Sequence, residues 1–204
     1  MTRLVLVSAL LACGGTSSSP AAPAAQPTSD FRVGDYVVYD YTGAYAPAPT
    51  RLRQEIRRVN GLQIEMEVRA ERGEERREWA QVLTDTEENR QNHVIDELYE
   101  VSNGTRTPLA NENNRDLMRL YGWTLPDCVA PVEQLPTEER AIPIGGETQQ
   151  CQCARQRMQC GGQPAVFERC ECDMFPWGIA SGVVMQEGAT EPYWRVEIRE
   201  VGFR

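Results

Sequence analysis

The stretch CQCARQRMQCGGQPAVFERCEC, residues 151–172, holds five of the chain's seven cysteines and has a glycine pair at its centre. Gly161-Gly162 suits a two-residue hairpin turn, because both central residues of such a turn take positive φ. With the turn placed there, Cys160 opposes Gln163, Arg155 opposes Glu168, Cys153 opposes Cys170 and Cys151 opposes Cys172. Counted outward from a hydrogen-bonded Cys160–Gln163 pair, both cysteine pairs fall in the non-hydrogen-bonded class, with Cα atoms about 4.5 Å apart. That spacing lies within disulfide range. The register predicts bridges Cys151–Cys172 and Cys153–Cys170 and leaves Cys128–Cys160 by elimination. The crossed arrangement, Cys151–Cys170 with Cys153–Cys172, stays open, as spacing alone does not set connectivity.

Four thiols this close also suit a tetrathiolate metal site, although Cys-x₂-Cys is the commoner spacing. A redox centre is the other rival, with Arg155 and Arg169 supplying positive charge against Glu168 and Glu171. The compartment separates these from a staple, since structural disulfides persist in oxidising surroundings. On the staple reading no metal or other cofactor is expected.

The other end of the chain addresses the compartment. It opens MTRLVLVSALLACGG. Arg3 makes a positive start, and Leu4 to Leu11 form an apolar run too short for a permanent membrane helix. The run Leu10-Leu11-Ala12-Cys13 resembles the lipobox of bacterial lipoproteins. The resemblance covers only the start of the chain and implies cleavage before Cys13, which becomes the acylated terminus. Gly14 stands where an aspartate would imply inner-membrane retention, so the resemblance points to the outer membrane. The expected organisation is a signal peptide over 1–12 and a lipidated, disordered tether over 13–30. A single β-rich domain over 31–204 follows, with its cysteine-rich hairpin at 148–174. The tether, small, polar and proline-rich, cannot bury enough apolar surface to offset its ordering entropy.

Composition narrows the chemistry. The formal net charge is −9, and loss of Arg3 makes it one unit more acidic. An acidic body is a poor partner for nucleic acid. All 21 basic residues are Arg, which excludes Schiff-base lysine catalysis and a P-loop. One histidine, His93, excludes multi-histidine zinc sites.

Alternation organises the body. Phe31, Val33, Val37, Tyr39 and Tyr41 share one face of a first strand. Leu62, Ile64, Met66, Val68 and Ala70 share one face of another. For the hairpin between Arg51 and Val68, a three-residue loop Val59-Asn60-Gly61 places Ile56 opposite Ile64 and keeps apolar residues on one face. Residues 84–101 are expected to be helical, with Thr84 and Glu87 at capping-box spacing. A second helix is expected over Asn113 to Tyr121, with Leu117, Leu120 and Tyr121 as its stripe and Gly122 as its stop. Residues 122–146 read as a long loop. "SGVVMQEG" and "YWRVEIREVGF" read as a terminal strand pair. Together these predict a mainly β (α+β) fold: a curved, half-barrel-like antiparallel sheet with one or two covering helices.

No constellation stands out as catalytic. His93 is a candidate general base and also reads as a solvated helix-face residue. Glu87-Glu88 and Asp96-Glu97 are candidate paired carboxylates for an envelope hydrolase, or helix-start acids. Trp123, Trp177, Trp194, Tyr193 and Phe175 suit either a pocket or a core. The expected role is non-catalytic. The partners are the membrane, through acyl chains on Cys13, and an envelope protein or apolar ligand on the curved sheet.

Overall fold

The computed structural model describes residues 29–92, 94–110, 115–129, 131–172 and 179–202. The elements run β1 (Tyr36–Thr42), β2 (Thr50–Asn60), β3 (Gln63–Arg72), β4 (Glu75–Thr84), α1 (Glu87–Asn92), β5 (Glu97–Ser102), β6 (Thr105–Leu109), α2 (Arg115–Tyr121), β7 (Glu133–Ile144), β8 (Glu147–Cys160), β9 (Gln163–Glu171), β10 (Ser181–Gln186) and β11 (Trp194–Gly202). The strands form one open sheet in the order β6-β5-β4-β3-β2-β1-β11-β10-β9-β8-β7. Every pairing is antiparallel. Two meanders therefore meet back to back where the first strand pairs with the last.

The sheet curls. In a flat sheet β7 and β11, four places apart, would lie about 19 Å from each other. Instead the β7–β8 tip reaches β11, and a Cβ at Gly145 would collide with Val201. Curling gives the sheet a concave face. On it lie Val37, Tyr39 and Tyr41 of β1, Leu52 of β2, Met66, Val68 and Ala70 of β3, and Trp79 and Leu83 of β4, all buried. The opposite face carries an Arg–Glu lattice. Arg57 pairs with both Glu55 and Glu67, and Arg69 with Glu78.

Four expectations are corrected. The β2–β3 turn is the two-residue Gly61-Leu62, and the faces are kept in phase by a bulge between Ile56 and Arg58. Ile56 therefore faces Met66, not Ile64, and Leu52 faces Ala70. The bulge supplies the odd residue that the longer loop was expected to supply. The helix expected over 84–101 ends at Asn92, and Glu97–Ser102 is a strand instead. Leu98 gains burial by joining the β4 edge, where it faces Gln81 on one side and Leu109 on the other. Tertiary pairing outweighs local propensity here. Asn103-Gly104, both at positive φ, makes the β5–β6 turn. The loop expected over 122–146 contains β7, an edge strand that tolerates Pro136 at a bulge and Pro143 within its ladder. Finally, β1 starts at Tyr36. Val33 and Gly34 turn the chain before it, closed by Asp35 N–H to Arg32 O, and Val33 is exposed.

The cysteine hairpin follows the predicted register. Cys153 opposes Cys170, Arg155 opposes Glu168, and Cys160 opposes Gln163 across Gly161-Gly162, whose φ values are 58° and 76°. Disulfides join Cys151–Cys172 and Cys153–Cys170 with Cα separations of 4.3 and 3.9 Å, so the crossed arrangement is not formed. A third joins Cys128 to Cys160. By strand alternation the two hairpin bridges lie on the face of β8 opposite to the one carrying Cys160. The hairpin is thus stapled to itself on one side and to the incoming chain on the other.

Loop closure gives these bridges different weights. Replacing Cys128 and Cys160 by Ala removes a closure over 32 residues and should cost about 3–4 kcal/mol in urea unfolding. The hairpin bridges are nested, so losing one should cost about 1–2 kcal/mol and losing both about 4–5. Strict additivity of the two would contradict the nested geometry.

Candidate functional site

The chain between β6 and β7 lays α2 and the residues after it on the concave face. The apolar stripe of α2 points inward. Leu120 is fully buried, and Leu117 and Tyr121 pack against the core. Gly122 then turns the chain so that Trp123 and Thr124 are also buried.

Most of the hydrogen-bonding side chains that the sheet turns toward this segment reach its backbone. Trp123 O accepts hydrogen bonds from Arg72 Nη2 at 2.6 Å, Tyr45 Oη at 2.8 Å and Thr50 Oγ1 at 3.4 Å. Thr124 O accepts from Trp194 Nε1 at 2.8 Å, and Arg119 O from Arg77 Nη1 at 3.0 Å. Three side chains are read as well, one of them Arg119, which pairs with Glu100 on β5. The Tyr121 hydroxyl accepts from the amides of Gln54 on β2 and Gln81 on β4, at 3.2 and 3.1 Å. The Trp123 ring lies under two guanidiniums, Arg77 at 3.9 Å and Arg72 at 5.2 Å from its centroid. Trp79 meets Tyr121 edge-on, with centroids 4.9 Å apart. One buried polar atom on this face, the Tyr39 hydroxyl, makes no hydrogen bond among the described residues.

Of the aromatic residues singled out in the sequence, the structure brings Trp123 and Trp194 together over Thr124. Tyr193 packs edge-on against Tyr45 at one end of this face. Phe175, Trp177, His93 and Cys13 lie outside the described residues. The two acidic pairs lie on different elements. Glu87 and Glu88 start α1, while Asp96 and Glu97 lead into β5. Asp96 accepts the Thr84 hydroxyl at 2.7 Å, and Glu97 accepts that of Tyr99. The most buried carboxylates are braces. Glu65 is flanked by Arg58 and Arg106. Burial pushes its carboxyl up, but the two guanidiniums outweigh this and hold it below its ordinary range. Asp85 behaves alike: burial raises it, and hydrogen bonds from Arg90 and Ser29 bring it lower. A carboxylate held ionised in this way is a poor general base at neutral pH.

The sequence reading missed Gln54, Gln81, Thr50, Arg72 and Arg77. A signal was present: Gln54 sits between Leu52 and Ile56 at an inward position of β2. Polar residues on an apolar face need partners, and Tyr121 is that partner for two of them.

Burial raises the hydroxyl pKa of Tyr39, Tyr41 and Tyr121 above the ordinary value near 10. A raised folded-state pKa contributes stability that is present below the unfolded pKa and is lost as pH rises past it. Titration followed at 295 nm should show Tyr39 and Tyr41 ionising only well above pH 10, together with loss of near-UV circular dichroism. Ionisation of all seven near pH 10 with the fold intact would contradict the packing of this face.

No protein-family model matches the chain, and a search of curated proteins finds no match. Among solved structures it is similar to the hypothetical protein CT021 from Chlamydia trachomatis, at 9% identity over 85% of this chain and 89% of that one, with a TM-score of 0.45. It is also similar to a candidate lipoprotein from Parabacteroides distasonis, at 9% identity over 86% of this chain and 99% of that one, with a TM-score of 0.43. A third similar structure is a candidate exported protein with a YmcC-like fold from Bacteroides fragilis, at 6% identity over 87% of this chain and all of that one, with a TM-score of 0.40.

Proposed function

We propose that this chain is a lipid-anchored cell-envelope protein with a non-catalytic binding role. The observation that carries the reading is how the seven cysteines divide. Six form three disulfides within residues 128–172. Paired sulfurs are neither metal ligands nor thiolate nucleophiles, and such pairing persists outside the reducing cytosol. The seventh, Cys13, is the one that completes the lipobox-like run, which accounts for an odd cysteine in an oxidised chain.

Ser29, where the described chain begins, is docked on the body. Ser29 donates its N–H to Gly61 O at 2.9 Å and its hydroxyl to the buried Asp85 carboxylate. The tether therefore joins at the end of the sheet that carries the β2–β3 turn and α1. The acyl chains are the membrane contact, and a protein of the envelope is the partner sought on the concave face. The outer membrane is the favoured site because Gly14 follows the acylated position.

Labelling cells with a palmitate analogue tests the anchor. Wild-type protein should carry the label and partition into detergent, and Cys13→Ala should lose the label and appear in the soluble fraction. Membrane retention of unlabelled Cys13→Ala would overturn it.

A further inference from the structure

We propose that the concave face is a recognition site for an aromatic peptide of a protein partner bound as a helix end and turn, and that residues 119–124 occupy it in cis. This deepens the binding reading above and does not depend on the anchor.

The contacts are those of peptide capture. Five side-chain donors reach three main-chain carbonyls, Arg119 O, Trp123 O and Thr124 O. The donors come from four separated places: Tyr45 after β1, Thr50 on β2, Arg72 and Arg77 around the β3–β4 turn, and Trp194 on β11. Bonds to carbonyls accept any sequence. Specificity enters at two positions, a hydroxyl gripped by Gln54 and Gln81 and a ring held under Arg72 and Arg77. The recognised pattern is Tyr-x-Trp, met here as Tyr121-Gly122-Trp123.

A segment serving only as core would be expected to satisfy the donors beneath it. The Tyr39 hydroxyl, 1% exposed, is left without a bond. An incoming peptide with an acceptor at that point would fit this face better than the resident one. The segment is also thinly held by its own helix. It has seven helical residues with Met118 exposed, and Gly122 N reaches Arg119 O only at 3.4 Å.

The probe is a synthetic peptide of residues 115–126, titrated into the purified full-length chain. A tethered competitor acts at an effective concentration in the millimolar range, so the wild-type protein should bind the peptide weakly. Trp123→Ala, which weakens the resident segment, should bind at least about tenfold tighter. Adding Gln54→Leu and Gln81→Leu should remove most of that gain, and a scrambled peptide should not bind. A folded Trp123→Ala protein that binds no better than wild type, or binds the scrambled peptide equally, would overturn the proposal. Amide hydrogen exchange on the wild type decides the matter if Trp123→Ala does not fold. Gly122 and Thr124 should exchange at least about tenfold faster than the β3 amides, and equal protection would make the segment permanent core. Cys13→Ala fractionation and this titration fail independently.

Discussion

The pairing of β1 with β11 holds the molecule together. It runs from Tyr36 opposite Gly202 to Thr42 opposite Arg195, with one bulge at Val38/Tyr39. Without it each meander would end in an unpaired strand with its apolar row in water. Val37, Tyr39 and Tyr41 face Val201, Ile198 and Val196, so the two cores merge along this seam. The pairing joins the ends of the described chain. Its closure entropy grows only slowly with length, but a contact so distant in sequence forms late.

The two meanders are stabilised by different means. From β1 to β5 the core is large and aliphatic or aromatic, with Leu52, Ile56, Ile64, Met66, Val68, Trp79, Leu83 and Leu98. From β7 to β9 the buried hydrophobic residues are Ile144, Met158 and Ala165 beside Cys151, Cys153, Cys160 and Cys170. That region buries too little hydrocarbon to order long strands, most of whose side chains are polar. Covalent closure of the unfolded state makes up the difference. The bridges therefore lie where the core is thinnest, and all of them lie in the C-terminal half.

This division also explains what could be read in advance. The cysteine hairpin was legible because a glycine pair and four cysteines all agree on one register. The strand from Leu62 to Ala70 was legible because its alternation is unbroken. The β2–β3 register was not: alternation reports parity, and a bulge at Arg57 and an odd-length loop give the same parity. Edge strands were illegible for another reason. Most of the side chains of β6 and β7 are exposed, so their own pattern says little, and their conformation comes from the strand beside them. Of the site, Trp123 and Trp194 were visible as aromatic residues. Gln54 and Gln81 belong to different strands, and only the path of the crossover brings a tyrosine to both.

Strand order dictates that path. The first meander ends at one edge of the sheet and the second begins at the other, so the 23 residues between Leu109 and Glu133 must span eleven strands. Around the convex side the distance is about 48 Å plus the thickness of the side chains. A chain of this length with a short helix extends at most about 63 Å, so that route would be nearly taut. Across the concave side the curl shortens the chord, and the same chain has slack enough for α2 and the Gly122 turn. A segment there lies over paired strands, whose backbone groups are already bonded within the sheet. Its own carbonyls must then be met by side chains projecting from that face. Arg72, Arg77, Tyr45, Thr50 and Trp194 meet them.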